Sequence, residues 1–261
     1  RVQESVMFLA DYLEKENTLV SKIKNAMIYP VFVIVLFIIV AGVLMGVVFP
    51  QIEPIFVDAN VTLPLITRVF LSIGHFIANW WLALIVIALA FAAFLVEYMR
   101  SEEGGVVFDE LVLSLPVVGK LLRQAYVARF GEAMSVLIKG GIPIAQAIET
   151  SGHTVGSLLY RDALHGVAEK IRGGELLSRA LEAEERYFPP LVSQMVAVGE
   201  STGRLDDMLS RVAQFYTREV DGMVSNLVEL IQPALMVVIG AGVGLLFASI
   251  LLPIYNLVQV F

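Results

Sequence analysis

Three long stretches of the chain contain no Asp, Glu, Lys or Arg and consist mostly of apolar residues. They cover residues 25–52, 69–96 and 230–261. A helix needs roughly 20 apolar residues to cross a bilayer, and each stretch is longer than that. The pattern predicts transmembrane helices at 29–50 and 77–97, and a third within 233–261 that ends in a short tail.

Between the second and third spans, residues 98–232 show apolar positions at helical spacing, divided by glycines and prolines. We expect six helices there: about 121–139, about 143–150, about 157–171, a short one ending near Ala183, one from Pro190 to just before Gly199, and one from about Gly203 into the third span. Ser201 or Thr202 would cap the sixth helix. The predicted fold class is an all-α membrane protein, with three transmembrane helices and a small helical bundle.

Two further segments flank the first two spans. Residues 1–28 have the pattern of a helix that leads into the first span. In the loop at 51–76, apolar residues from Leu65 to Ile73 favour a short helix lying at the membrane surface.

Basic residues set the orientation of the spans, because positively charged segments stay in the cytoplasm. The loop at 51–76 contains one Lys or Arg, Arg68, whereas residues 98–232 contain many. We therefore place this loop and the C-terminal tail outside the cytoplasm, and the bundle at 98–232 inside it.

The first and third spans belong to an internal repeat. Pro30 and Pro50 recur as Pro233 and Pro253 at one offset, since 233 − 30 = 203 and 253 − 50 = 203. The sequence therefore predicts a duplicated architecture, in which residues 1–28 are the end of a first bundle domain that is largely missing here. Pro30 and Pro233 each remove a backbone donor where a helix enters the membrane, so both are predicted hinges.

Small residues are spaced for helix packing in the same two spans. Gly42 and Gly46 form one GxxxG pair, and Gly240 and Gly244 form another. Such pairs let helices approach closely, within a chain or between copies. Glycine is also frequent in membrane helices generally, so both interpretations stay open.

Enzymatic chemistry has little support in the sequence. The chain has no cysteine and a formal net charge of −7. It contains no phosphate-binding loop and no HExxH motif. We interpret His75, His153 and His165 as solvated or loop residues. We expect no catalytic residue, no metal, no cofactor and no nucleic-acid partner, so any work must be powered by another protein.

The segment Gly199-Glu200-Ser201-Thr202-Gly203-Arg204-Leu205 has two interpretations. Structurally, its glycines permit a tight turn, and Glu200 can satisfy backbone donors at a helix start. Functionally, an acidic residue in a turn at the end of a bundle is a plausible docking point for a partner.

Together these residues resemble the integral membrane platform family of type II secretion and type IV pilus machines. The turn matches the family's GExSGxL motif, with Thr202 where serine is usual. Further matches are Leu115-Pro116-x-x-Gly119, Ala128-Arg129-Phe130, Leu137-x-x-Gly140-Gly141-Ile142-Pro143, Tyr29-Pro30 and Leu63-Pro64-x-x-Thr67.

The resemblance implies two homologous six-helix cytoplasmic domains and three spans in the bacterial inner membrane, with the C-terminus in the periplasm. It implies a homo-oligomeric platform surrounded by membrane lipid, which couples a hexameric assembly ATPase to pilin or pseudopilin assembly alongside other inner-membrane components. The residues it marks as candidates for partner binding are Gly199, Glu200, Gly203, Arg204 and Arg129.

Two other functions remain open. A transporter or permease subunit can also have duplicated spans, although such proteins usually keep ionisable residues inside them. A membrane-anchored signalling scaffold would use the bundle only to recruit soluble partners.

Overall fold

A computed structural model describes residues 27–48, 51, 54 and 65–258 of the chain. These residues form helices joined by short turns, and none of them lies in a strand. The all-α fold predicted from the sequence is therefore confirmed.

The helices are numbered here in chain order. Helix α1 covers residues 27–43 and continues as a π-helical turn at Leu44–Val48. The later helices are α2 (Leu65–Arg100), α3 (Glu102–Ser114), α4 (Val118–Lys139), α5 (Ile144–Val155), α6 (Leu158–Arg172), α7 (Leu177–Glu182), α8 (Pro190–Thr202) and α9 (Leu205–Val258).

Two helical stretches in the described part of the chain are long and apolar enough to cross a membrane, Met27–Val47 and Leu205–Ser249. A shorter apolar stretch, Leu82–Tyr98, lies within α2. Contacts divide the chain into two compact units, one of which is Ala93–Ser225 and contains the bundle.

Aromatic side chains form the centre of the bundle. The ring of Tyr160 in α6 is fully buried and makes edge contacts with Tyr126, Tyr187 and Phe188, at centroid distances of 5.0, 5.2 and 5.7 Å. Its hydroxyl donates to the backbone carbonyl of Tyr187 at 2.9 Å, so this buried polar group is satisfied. Burial raises the pKa of Tyr160 above its ordinary range.

The six helices predicted in residues 98–232 correspond to α4–α9. The structure adds α3, which the sequence analysis did not identify. Helix α5 continues to Val155 instead of ending near residue 150, because the chain first leaves helical geometry at Gly156, where φ is +90°.

The boundary between α8 and α9 differs from the prediction. Helix α8 does not stop before Gly199 but continues to Thr202, so Ser201 and Thr202 lie in its last turn instead of capping α9. The hydroxyls of both residues donate to the Val198 carbonyl inside α8, and α9 starts at Leu205.

The separate surface helix predicted near Leu65–Ile73 is also corrected. Residues 65–100 form one continuous helix, and no proline interrupts that segment. Of the predicted segments 1–28 and 51–76, residues 1–26, 52, 53 and 55–64 lie outside the described residues.

Candidate functional site

The turn between α8 and α9 carries four of the five predicted partner-binding residues. Gly203 has φ +67°, a left-handed conformation that glycine adopts without steric cost. The backbone N–H of Arg204 donates to the carbonyl of Gly199 at 3.0 Å and closes the C-terminus of α8. The chain can therefore reverse direction and begin α9 at the next residue.

Glu200 caps the N-terminus of another helix. Its Oε1 accepts from the backbone N–H of Leu177 at 2.6 Å, and its Oε2 accepts from the Ser178 hydroxyl at 2.6 Å and the Ser178 backbone N–H at 3.3 Å. No local side chain caps α7 at Leu176. A carboxylate at a helix N-terminus also interacts favourably with the helix dipole. The geometry is the one expected from the structural interpretation of the turn.

Gly199 lies where α8 meets the start of α9. A Cβ atom placed on it would lie 2.9 Å from the Cα of Leu205 and 3.2 Å from the Cβ of Met208. That space does not admit any side chain unless the backbone moves. The two glycines of the turn therefore have different roles, because Gly199 permits close packing and Gly203 permits the reversal.

Arg204 is the exposed member of the turn. Its side chain is 71% exposed, and its Nε donates to Asp207 Oδ2 at 2.9 Å on the first turn of α9. A surface pair of this kind contributes little to stability. Arg204 can therefore exchange Asp207 for an acidic group on a partner at small cost.

Arg129, the fifth residue, lies in α4 and contacts the end of α5. Its Nη1 donates to the carbonyl of Val155, the last residue of α5, at 3.2 Å. A cation at a helix C-terminus is favourable because that end carries the negative side of the dipole. The structure thus brings together Gly199, Glu200, Gly203 and Arg204, and places Arg129 at a separate helix end.

Asp109 in α3 makes a similar cap that the sequence analysis missed. Its Oδ2 accepts from the Ser157 hydroxyl at 2.8 Å and from the Leu158 backbone N–H at 2.9 Å. These donors lie at the N-terminus of α6, 48 and 49 residues further along the chain. Only the role of Ser157 as an N-cap could be predicted from the local sequence. The contribution of Asp109 could not, because Asp109 and Ser157 are 48 residues apart along the chain.

The predicted helix-packing glycines lie in open positions within the chain. No described atom beyond the local helix backbone lies within 4 Å of a Cβ built on Gly42, Gly46, Gly240 or Gly244. A close approach occurs instead at Gly242, where a built Cβ would lie 2.6 Å from the ring of Phe37 in α1. The packing role of the four glycines, within a chain or between copies, stays a prediction.

Both predicted hinge prolines lie inside continuous helices. Pro30 is the fourth described residue of α1 and is buried, and Pro233 lies within α9 with helix on both sides. A hinge at either residue remains a prediction.

The described residues offer no metal-binding cluster of His, Asp and Glu. His153 and His165 are exposed, as expected for solvated residues, but both lie in helices and not in loops. His165 Nδ1 lies 2.6 Å from Glu149 Oε1, and Arg172 Nη2 donates to the other oxygen of Glu149 at 3.3 Å. This group links α5 to α6 at the surface. The side chain of His75 is outside the described residues.

The chain matches the family model described as "Type II secretion system (T2SS), protein F" over residues 1–50 and 130–253. The two matched segments end at Pro50 and Pro253, which are separated by the repeat offset, since 253 − 50 = 203. The match therefore covers both copies of the predicted repeat.

Relatives are named for two kinds of machine. The chain is 38% identical over 250 residues to type IV pilus assembly protein PilC of Thermus thermophilus, covering 96% of this chain and 62% of the relative. It is 38% identical over 253 residues to type IV pilus assembly protein TapC of Aeromonas hydrophila (95% and 60%). It is 32% identical over 251 residues to type II secretion system protein F of Pseudomonas aeruginosa (96% and 62%). The chain thus spans about three fifths of each of these relatives.

Proposed function

Because the chain belongs to the type II secretion system protein F family, we propose that it is a non-enzymatic platform protein of the bacterial inner membrane. In this proposal a hexameric cytoplasmic ATPase acts on the bundle, and the platform transmits that action to pilin or pseudopilin subunits entering a filament. The family membership supports the setting of pilus assembly and secretion.

The continuity of helix α9 is the observation that supports the proposed coupling. Its first part contributes buried core residues to the bundle, among them Leu209, Val212 and Tyr216. The same helix continues without interruption through Pro233 into an apolar stretch long enough to cross a bilayer. The backbone hydrogen bonds of one helix join the two parts, apart from the bond that Pro233 cannot donate. A displacement of the bundle can therefore reach the membrane along one helix.

The test loosens α9 without changing its register. Asn226 and Glu229 are exposed on α9, whereas Val220 and Val224 are buried, so the substitutions belong at the first pair. Glycine costs about 1 kcal/mol relative to alanine at each helix position. We compare Asn226→Gly/Glu229→Gly with Asn226→Ala/Glu229→Ala in the full-length protein.

We expect the glycine variant to insert in the membrane and bind the ATPase but to reduce filament assembly or secretion, while the alanine variant remains active. Normal assembly by the glycine variant would refute rigid transmission. Loss of activity in both variants would assign the effect to the two side chains, and not to helix continuity.

We place an ATPase contact at the α8–α9 turn. Arg204 is exposed there, while Glu200 is occupied by α7 and would act by holding the turn in position. Arg204→Glu should reduce the amount of ATPase that copurifies with the full-length protein after crosslinking. Arg161→Glu in α6 is the matched charge reversal and should leave it unchanged. Equal recovery with both variants would exclude this contact.

The alternative function is a permease subunit without its own ATPase. Its spans would be expected to contain ionisable residues, but residues 25–52, 69–96 and 230–261 contain no Asp, Glu, Lys or Arg. Crosslinking in the membrane separates the two functions. The platform proposal predicts recovery of an assembly ATPase and pilin-like subunits, whereas recovery of a transport ATPase alone would favour the permease.

A further inference from the structure

Helix α3 has one face packed on the bundle and one apolar face that no other part of the described chain covers. Leu113 is buried in the core, and Asp109 caps α6 from the same side. On the other side, Val107, Phe108 and Leu111 are 52%, 43% and 60% exposed, and Leu115 continues the row just past the helix end. At 100° per residue these four positions fall within an arc of about 100°. We call them the α3 stripe.

Helix α3 starts directly at the end of α2. The Ser101 side chain caps α3 by accepting from the Gly104 backbone N–H at 3.1 Å, and the Ser101 N–H donates to the Tyr98 carbonyl at 3.1 Å. A Cβ placed on Gly104 would lie 2.0 Å from that carbonyl oxygen. At Gly104 the backbone of α3 therefore packs directly against the last turn of α2, and this contact fixes where α3 starts.

The end of α2 has the features of a membrane boundary. The apolar stretch Leu82–Tyr98 ends at Tyr98, whose ring stacks on Phe94 at 6.2 Å, and Arg100 follows. Tyrosine and arginine are typical of the level of the lipid headgroups, since each combines an apolar body with a polar end. A helix that starts at this point begins at the interface between membrane and cytoplasm.

We propose that α3 lies in the cytoplasmic membrane interface and inserts the α3 stripe between the lipid headgroups and the upper acyl chains. Amphipathic helices bind membranes in this way when a narrow apolar face is aligned with the interface. The occupant of the stripe is membrane lipid, because α3 starts directly at the end of α2, which contains the apolar stretch Leu82–Tyr98 of the predicted second span. This inference rests on membrane insertion of α2 and is independent of the proposed coupling to an ATPase.

The charged residues near the α3 stripe also favour membrane lipid as its contact. The two carboxylates in the middle of α3 both turn away from the stripe, since Asp109 caps α6 and Glu110 pairs with Arg186 at 3.2 Å. Lys120, just beyond the stripe, is exposed and can approach anionic headgroups. The stripe therefore presents apolar atoms to the membrane without desolvating either of these two carboxylates.

The test uses the absence of cysteine from the sequence. Leu111→Cys and Val107→Cys each give a single labelling site for an environment-sensitive fluorophore in the full chain, reconstituted in vesicles of phosphatidylethanolamine and phosphatidylglycerol. Asp162→Cys in α6 is the control, because the Asp162 side chain is 67% exposed and belongs to the bundle surface.

We expect nitroxide-labelled lipids to quench both stripe labels several-fold more than the control label, with emission shifted to shorter wavelength. Aqueous iodide should quench mainly the control. Two results would overturn the proposal. Stripe labels as accessible to iodide as the control would place α3 in water. Labels shielded from both quenchers, with cysteine crosslinks between copies, would make the stripe a protein interface.

Discussion

The carboxylate of Glu200 lies 2.6 Å from the backbone nitrogen of Leu177, and this hydrogen bond ties the end of α8 to the start of α7. The acidic residue that marks the turn in the sequence is therefore part of the internal framework of the bundle. A partner that docks at the turn contacts a surface that Glu200 shapes, or must compete with α7 for the carboxylate.

We predict that the direct effect of Glu200→Ala is to destabilise α7, and that any effect on a partner follows from this. Loss of a helix cap costs about 0.5–2 kcal/mol, and the freed N–H groups at Leu177 and Ser178 lose charge-assisted bonds. Local opening should therefore become roughly 2–30-fold more frequent. Hydrogen exchange of the α7 amides in the full chain measures this change.

Glu200→Gln is the companion variant, since it keeps one acceptor oxygen and removes the charge. It should show a smaller increase in exchange at α7. If both variants exchange like the wild type while ATPase recovery falls, Glu200 acts directly on the partner, and its role as a cap is energetically unimportant.

Gly199→Ala should destabilise the bundle. The added methyl group would lie 2.9 Å from the backbone of Leu205, and overpacking of this kind typically costs about 1–3 kcal/mol. Faster hydrogen exchange in α8 and at the start of α9 is the expected observation.

Gly166→Ala in α6 is the matched control for Gly199→Ala. A Cβ built on Gly166 meets no atom within 4 Å, so alanine should stabilise that helix by about 0.5–1 kcal/mol. Opposite signs for the two substitutions are expected. If Gly199→Ala is neutral or stabilising, the close approach of α8 and α9 does not exist in solution.

The end of a helix could be predicted from the sequence where a pair of glycines follows it. Gly140-Gly141 follows α4 in this way, and Gly173-Gly174 follows α6. The same rule failed at Gly199, because a glycine that ends a helix and one that admits a neighbouring helix look alike in sequence. Only the φ of +67° at Gly203 and the contact of Gly199 with Leu205 separate the two roles.

The charged caps show where prediction from sequence stops. The role of Glu200 at some helix start could be proposed from its residue type, but the identity of that helix could not, because Leu177 precedes it by 23 residues. Asp109 offered no local signal at all. Contacts of this length depend on how the bundle folds, and a single sequence does not specify them.

Asp109 and Ser157 should be energetically coupled. Asp109→Ala and Ser157→Ala each remove one partner of their 2.8 Å hydrogen bond, so the double variant should lose less free energy of unfolding than the sum of the two single losses. Neighbouring residues in one network typically show about 0.5–3 kcal/mol of coupling. Denaturation of the wild type, the two single variants and the double variant in detergent measures this coupling free energy.

Additive losses in that cycle would show that Ser157 caps α6 through the Tyr160 backbone N–H alone, which lies 3.4 Å from its hydroxyl. Asp109 would then hold α3 on the bundle only through the Leu158 N–H.

The decrease in folding stability at acidic pH should depend partly on Glu149. The hydrogen bond from His165, aided by the charges of His165 and Arg172, holds the pKa of Glu149 below its ordinary value of 4.5. A carboxyl group whose pKa is lowered by folding stabilises the folded state at pH values above 4.5, and this contribution is lost as the pH falls through the lowered pKa. Because Glu149 is partly exposed, its contribution should stay below about 1 kcal/mol.

Glu149→Gln should therefore unfold at a temperature about 1–3 °C lower than the wild type at neutral pH, and the difference should vanish once the pH has fallen through the lowered pKa of Glu149. Calorimetric scans of the full chain in detergent between neutral and acidic pH measure both values. Added salt should narrow the gap at neutral pH, since the group lies at the surface. A gap that persists at acidic pH would mean that Glu149 stabilises the α5–α6 contact through packing, and not through its charge.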